Sequence, residues 1–310
     1  MGPSSYEFPH LFLYLVELEH IPASGEIHSI LKYPEVRDSR FFKDDAHMTR
    51  FESDIRKFAF PYTKIQRDNA HRYPPARASS NLVQFYTFVL TDDNAIRQYG
   101  FCRAAQGGNH VTFLISYLPW YTVLVQLLNK IVTIINDKDT QSLYHFLDAV
   151  YEYELPRPGC SAEVFPHDGS ESYCFYCPDR RLVPKISENR NLQKFFNIFD
   201  LEKIIRVFTA LLLDRHILIV SRDLENLTSC ALSLECLIYP LEWFQTFAPI
   251  MHEENNVETY SQPFPFIYGI HPHIYEKLSE EQLRECMVLM VDEHRIVVGD
   301  EIKYVGGWGF

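Results

Sequence analysis

The rhythm of apolar and polar positions divides this chain into two stretches of different character. Phe12 to Glu19 alternates loosely and stops at the Ile21-Pro22 break, which predicts a strand. A helix is expected around Met48–Phe58, followed by a polar, proline-containing connection from Pro61 to Ser80. The strongest β signal comes next. Phe85-Tyr86-Thr87-Phe88-Val89-Leu90 is rich in aromatic and β-branched residues and runs into turn chemistry at Thr91-Asp92-Asp93-Asn94. Further runs at Gln98–Arg103 and Val111–Tyr117, separated by Gln106-Gly107-Gly108-Asn109, complete a three-stranded meander. After Pro119, Tyr121 to Ile135 carries Val125, Leu128, Ile131, Val132 and Ile135 at helical spacing. The first region therefore reads as an antiparallel sheet backed by a helix.

The second region alternates helix and strand. Ser142–Tyr153 is helical in pattern, and Leu155-Pro156-Arg157-Pro158-Gly159 breaks the chain. A polar stretch at Asn136-Asp137-Lys138-Asp139 places the boundary near residue 137, giving lobes of 1–136 and 137–310. Leu201, Ile204, Ile205, Phe208, Leu211 and Leu212 fall on one face of a helix that Asp200 would cap. Asp214-Arg215-His216 leads into Ile217-Leu218-Ile219-Val220, a run typical of a strand covered on both faces. A helix over Leu224–Ile238 and strands at Phe264–Ile270 and Met287–Val291 extend the alternation, which indicates an α/β layer with a largely parallel sheet.

Charge adds a constraint on partners. The 310 residues include 29 Lys and Arg against 41 Asp and Glu, a formal charge of -12. Residues 1–118 hold 13 basic and 13 acidic side chains, so the excess belongs to the second part, with 16 and 28. This argues against a nucleic-acid partner, which needs a basic surface to release phosphate counterions, and favours a partner with a basic face. No run approaches the roughly 18 apolar residues of a membrane span, and Met1 to His10 lacks the basic start and small-residue cleavage site of a secretory signal. Seven cysteines suit a reducing cytosol better than a disulfide framework.

Several chemistries can be weighed directly. Cys174-Phe175-Tyr176-Cys177 has the spacing of a zinc knuckle, and Cys160 and His167 could complete four ligands. The alternative is a strand over Ser172–Cys177, in which positions three apart face opposite sides and the thiols are inert. No GxxxxGK[ST], GxGxxG or GxSxG occurs, and the acid pairs Asp44-Asp45 and Asp92-Asp93 fall in loops or turns. No metal or cofactor is expected, and a binding or exchange role remains by elimination. Arg56, Lys57, Lys64, Arg67, Arg72 and Arg77 form the most basic window, which is either a solvated loop or a contact for an acidic lipid or partner.

Three groups of residues resemble the DENN-domain family, most closely its connecdenn branch. Phe88-Val89-Leu90-Thr91-Asp92, Tyr99-Gly100-Phe101-Cys102-Arg103 and Leu114-Ile115-Ser116-Tyr117-Leu118-Pro119-Trp120 look like the end of its upstream module. Pro178-Asp179, Ile186, Glu188-Asn189-Arg190-Asn191-Leu192, Asp200 and Arg215-His216-Ile217-Leu218-Ile219 follow its central module. Tyr239-Pro240, Trp243, Pro249 and Pro263-Phe264-Pro265-Phe266-Ile267-Tyr268-Gly269-Ile270-His271 continue it.

The resemblance implies a fold of α+β and α/β parts: a longin-like antiparallel first lobe, then a doubly wound α/β lobe. It also implies a guanine-nucleotide exchange factor for a Rab-family small GTPase, acting without covalent chemistry in the cytoplasm, peripherally on clathrin-coated vesicles or endosomes. A phosphoinositide-bearing surface is the second partner to consider. The family ordinarily has a third, helical downstream module; Val305-Gly306-Gly307-Trp308-Gly309-Phe310 does not look helical, so that module is expected to be missing or cut short. The alternative is a noncatalytic module that binds a GTPase or trafficking partner. On chemistry alone, Glu188, Asn189, Arg190, Asp200 and Arg215 are the polar residues expected to meet the GTPase, although Asp200 could simply cap, Asn189 close a turn and Arg215 pair with Asp214 or Glu202. Tyr239 and Trp243 read as packing residues.

Overall fold

Two five-stranded sheets, one antiparallel and one mostly parallel, organise the chain. The structure, a computed structural model, describes residues 10–35, 44–69, 71–72, 83–91, 96–105 and 109–299. By internal contacts it divides into two units, one of Met1–Ala59, Leu82–Phe85 and Leu90–Leu182, the other of Phe60–Asn81, Tyr86–Val89 and Val183–Phe310.

In chain order, β1 (Tyr14–Ile21) and β2 (Glu26–Tyr33) are followed by α1 (Asp45–Ala59) and α2 (Thr63–Asp68), the latter grouping with the second unit. The meander expected over residues 85–117 is β3 (Gln84–Thr91), β4 (Arg97–Ala104) and β5 (His110–Ser116). The sheet order is β2-β1-β5-β4-β3, with β1 antiparallel to both β2 and β5. The central strand β5 is buried from Val111 to Ser116, as its apolar run requires, while β1 and β4 on either side are buried over part of their length and half-buried over the rest. β2, which no pattern in the sequence marks, is an edge strand that alternates between exposed and half-buried positions up to Leu31, and Glu26, His28 and Lys32 interrupt its apolar residues. Two helices follow, α3 (Tyr121–Asn136) and α4 (Thr140–Glu152), with Leu124, Leu127, Leu128 and Ile131 of α3 buried against the sheet. The unit closes with a hairpin of β6 (Ser161–Val164) and β7 (Tyr173–Tyr176). Tyr173 ties this hairpin to α3 by donating its hydroxyl to the Val123 carbonyl at 3.1 Å.

The second unit continues with α5 (Arg190–Ile198), α6 (Leu201–Leu212), β8 (His216–Val220), α7 (Leu224–Leu237), β9 (Thr246–Ala248) and β10 (Phe266–Ile270). Two single turns, α8 (Pro272–Tyr275) and α9 (Glu280–Leu283), then lead to β11 (Cys286–Met290) and β12 (Arg295–Val298). The order β12-β11-β8-β10-β9 is parallel except for the hairpin strand β12. Ile217 to Val220 lie at the centre of the sheet and are buried, as their unbroken apolar run predicts. Each main helix starts where a polar cap is available. Asn189, Asp200 and Asp223 accept backbone N–H groups in the first turns of α5, α6 and α7.

Candidate functional site

The helix that caps at Asp200 has more apolar residues than one buried face can absorb. Ile204, Val207, Ala210 and Leu211 of α6 are buried, so these positions form its inward face. Leu201, Ile205, Phe208 and Leu212 remain 65, 55, 37 and 49% exposed. The single apolar face expected from the sequence is therefore corrected: it splits into a packed face of Ile204 and Leu211 and an outward stripe of the other four residues. Their spacing of four, three and four places them in one row along the helix. The sequence did carry a signal, because eight of the twelve residues in α6 are apolar, and a helix apolar on every side is either enclosed or an interface. An exposed apolar row rimmed by charge is a candidate interaction surface.

The polar residues singled out from the sequence surround this helix or precede it. Asp200 accepts the Lys203 backbone N–H at 3.0 Å and also pairs with the Lys203 ammonium. The Lys203 partner and the backbone bond together hold its carboxyl below the usual carboxylate range. Arg215 follows the other end of α6, a helix of 12 residues that is about 18 Å long at 1.5 Å per residue. Its backbone N–H closes on Ala210, and its Nε is buried with no hydrogen-bond partner among the described residues. Glu202, one of its expected partners, instead takes Arg206 at 2.6 Å.

Ahead of α5, Asn189 accepts the N–H groups of Asn191 and Leu192 at 3.0 and 3.1 Å. Glu188 pairs with Lys185 at 2.9 Å. Arg190 and Lys194 both reach Glu225 at 2.8 Å, so α5 is tied to the first turn of α7 through one carboxylate. Asp200 and Arg215 are thus separated by the length of α6 rather than gathered in one cluster. What lies between them is the apolar row.

Open α/β sheets commonly bind ligands beyond the carboxyl ends of their strands. Here those ends are tied to one another. Ser221 after β8 donates to Asp292 after β11 at 2.6 Å, and Arg222 donates its backbone N–H to the same carboxylate at 3.0 Å. His271 follows β10 and is buried. Burial, then the neighbouring His273, holds its pKa down at about 4.

The basic window is distributed over both units. Arg56 and Lys57 belong to α1, while Lys64, Arg67 and Arg72 belong to the second unit; Arg77 lies outside the described residues. Lys57 pairs with Asp54 at 3.2 Å, Arg67 with Asp68 at 2.8 Å, Arg72 with Glu276 at 2.9 Å, and Lys64 with Glu254. The zinc set is not assembled, since β7 turns Cys174 outward and Cys177 inward. Among the described residues, no group of three or more His, Cys, Asp or Glu is placed to hold a metal ion. Nor is any helix among them long and apolar enough to cross a membrane.

Comparison with known proteins gives this surface a context. A model of the uDENN domain matches residues 28–105, and one of the DENN (AEX-3) domain matches residues 108–294. DENN domain-containing protein 1A of Homo sapiens is 30% identical over 86% of this chain and 25% of its own length. DENN domain-containing protein 1B of Mus musculus is 29% identical over 82% of this chain and 31% of its own. DENN domain-containing protein 2B of Homo sapiens is 26% identical over 78% and 21%. The chain thus spans between about a fifth and a third of the length of these relatives.

Proposed function

Because the chain belongs to the DENN (AEX-3) domain family, we propose that it is a guanine-nucleotide exchange factor for a Rab-family small GTPase in endocytic and recycling membrane traffic. The observation that carries the reading is the exposed apolar row of α6, which lies inside the segment matched by the DENN model. Exchange needs a surface that binds the nucleotide-free GTPase better than the nucleotide-bound one. Binding of that kind shifts the GTPase toward the state that has released GDP, without an acid, base or nucleophile on the exchange factor.

In this reading Leu201, Ile205, Phe208 and Leu212 meet apolar parts of the GTPase switch regions. Asp200 and Arg215, at the two ends of the row, supply charged contacts, and Glu188, Asn189 and Arg190 extend the polar rim. Central apolar anchors inside a polar rim are the ordinary anatomy of a protein interface. An acidic phosphoinositide surface remains a secondary partner for Arg56, Lys57, Lys64, Arg67 and Arg72, four of which would first have to leave the carboxylates they hold. In this reading the chain acts peripherally on clathrin-coated vesicles or endosomes.

The test is release of labelled GDP from a panel of Rab GTPases with and without the purified chain. Acceleration for one or two members supports exchange. Binding of nucleotide-free GTPase without acceleration supports instead a noncatalytic GTPase-binding module. Neither binding nor acceleration by the folded chain overturns both.

A further inference from the structure

Two residues separate Cys174 from Cys177 in the chain, but the hairpin does not bring their thiols to one side. Cys174 is exposed and Cys177 buried, on opposite faces of β7. The residue that faces Cys177 is Cys160. The hairpin pairs Ser161 with Tyr176 and Val164 with Tyr173. One step beyond Ser161 and Tyr176, the Cys177 N–H donates to the Cys160 carbonyl at 2.9 Å and the Gly159 N–H donates to the Cys177 carbonyl at 2.9 Å. Gly159 and Cys160 therefore stand together opposite the single residue Cys177, with Gly159 at φ +84°. That is a β-bulge of the kind whose first position needs glycine. Residues facing each other across antiparallel strands have Cα atoms about 4.5–5.5 Å apart, inside the range a disulfide spans. One residue beyond the paired strands, Cys160 and Cys177 continue the side of the hairpin that carries Ala162 and Phe175; Cys177 is buried there, and Cys160, at the end of the hairpin, stays exposed.

We propose that Cys160 and Cys177 form an oxidation site, a thiol pair that a small-molecule disulfide converts into a cross-strand disulfide at the base of the β6–β7 hairpin. The two thiols have unequal roles because their surroundings differ. Cys160 is exposed and open to the reagent. Cys177 has no exposed surface and donates its Sγ proton toward the Pro156 carbonyl at 3.4 Å. Burial, then the adjacent Cys160, then Asp179, push its thiol up to about 11. Cys160 therefore attacks first, as thiolate, on one sulfur of the reagent; the S–S bond of the reagent breaks and one small thiol leaves. Cys177 then loses its proton to solvent and attacks the Cys160 sulfur of the mixed disulfide, and the second small thiol leaves. Two protein thiols are oxidised and one small-molecule disulfide is reduced to two thiols. The slow step is the second, since Cys177 holds its proton.

The experiment equilibrates the full chain in mixtures of reduced and oxidised glutathione, blocks the remaining thiols in denaturant, and maps cysteine linkage by peptide mass. The expected result is a Cys160–Cys177 linkage that grows with the oxidised fraction, reverses on reduction, survives Cys174→Ser and disappears in Cys160→Ser. Cys160 is exposed, so its serine variant keeps the fold, which the circular-dichroism spectrum checks. A glutathione adduct that stays on Cys160 at equilibrium while Cys177 remains blockable would overturn the proposal. So would a linkage through Cys174, or a chain whose Cys160 and Cys177 stay reduced in fully oxidised glutathione.

Discussion

The carboxylate of Glu253 accepts the backbone N–H of Ile65 at 2.8 Å, and that of Lys64 at 3.0 Å through its other oxygen. Both donors lie in the first turn of α2, where the preceding Tyr62 gives no side-chain cap. A residue 188 positions away thus does the work that Ser, Asp or Asn usually does locally. Glu253→Ala is expected to cost about 0.5–2 kcal/mol, the range for loss of an N-cap. Glu253→Gln, which keeps an acceptor oxygen, should lose less. Urea denaturation of the three proteins checks the order, and an alanine variant as stable as the parent would remove the capping role.

The two faces of α6 should respond in opposite ways. Leu211→Ala removes a buried side chain and is expected to cost about 2–5 kcal/mol, with any loss of GTPase binding following the loss of fold. Ile205→Glu and Phe208→Glu change exposed positions, so stability should move by about 0.5 kcal/mol or less while GTPase binding and exchange fall at least tenfold. Thermal melts run beside GDP-release assays separate the two cases. Full exchange activity in the double glutamate variant would exclude the outer row as the contact.

Acid should weaken the second unit through His271. Its Nδ1 accepts the His273 backbone N–H at 3.2 Å, so the folded state requires that nitrogen without a proton. Unfolded His271 takes up a proton below its ordinary pKa of about 6.5, whereas the folded residue does so only near pH 4. The stability present at neutral pH is therefore lost as pH falls from about 6.5 to about 4, by up to about 3 kcal/mol at 1.4 kcal/mol per tenfold change in proton affinity. His271→Asn keeps a capping acceptor and removes the titration, so its stability should change less than that of the parent between about pH 7 and pH 5. Parallel pH profiles for the two proteins would refute this account.

Gly269 in β10 has no room for a side chain. A Cβ there would lie 1.9 Å from the Pro249 carbonyl oxygen, and the Gly269 carbonyl itself accepts the Met251 N–H at 2.7 Å. Because the obstacle is backbone that is hydrogen-bonded through the same segment, it cannot swing aside. Gly269→Ala is expected to cost more than the roughly 1–3 kcal/mol of ordinary overpacking. A melting temperature within a few degrees of the parent would contradict the close approach.

Local periodicity was enough to read most of the elements. The run at 85–90, the helical spacing from Tyr121 and the unbroken Ile217–Val220 segment each correspond to an element of the structure, because each is a pattern within one segment, whereas the turn expected at 92–94 lies outside the described residues. Residues 61–80 have only the composition of a connection, and 26–33 carry no clear pattern. Those segments contain α2 and β2, which depend on a distant carboxylate and on pairing at a sheet edge. Of the residues expected at the site, Asp200 was recognisable as a cap from its place before an apolar helix, whereas Asn189 suggested only a turn, and Glu225, which holds both Arg190 and Lys194, belongs to another helix.

By itself, then, the sequence determined the strongly periodic strands and helices, which runs could be enclosed by a sheet, and the family pattern from Phe88 to His271. Tertiary structure alone decided which half of the apolar α6 was covered, which carboxylate capped α2, and that Cys177 faces Cys160 rather than Cys174. The physical reason is one of range. Backbone periodicity is a property of neighbours in the chain, but burial, capping from a distance and cross-strand register belong to whichever segments folding brings together.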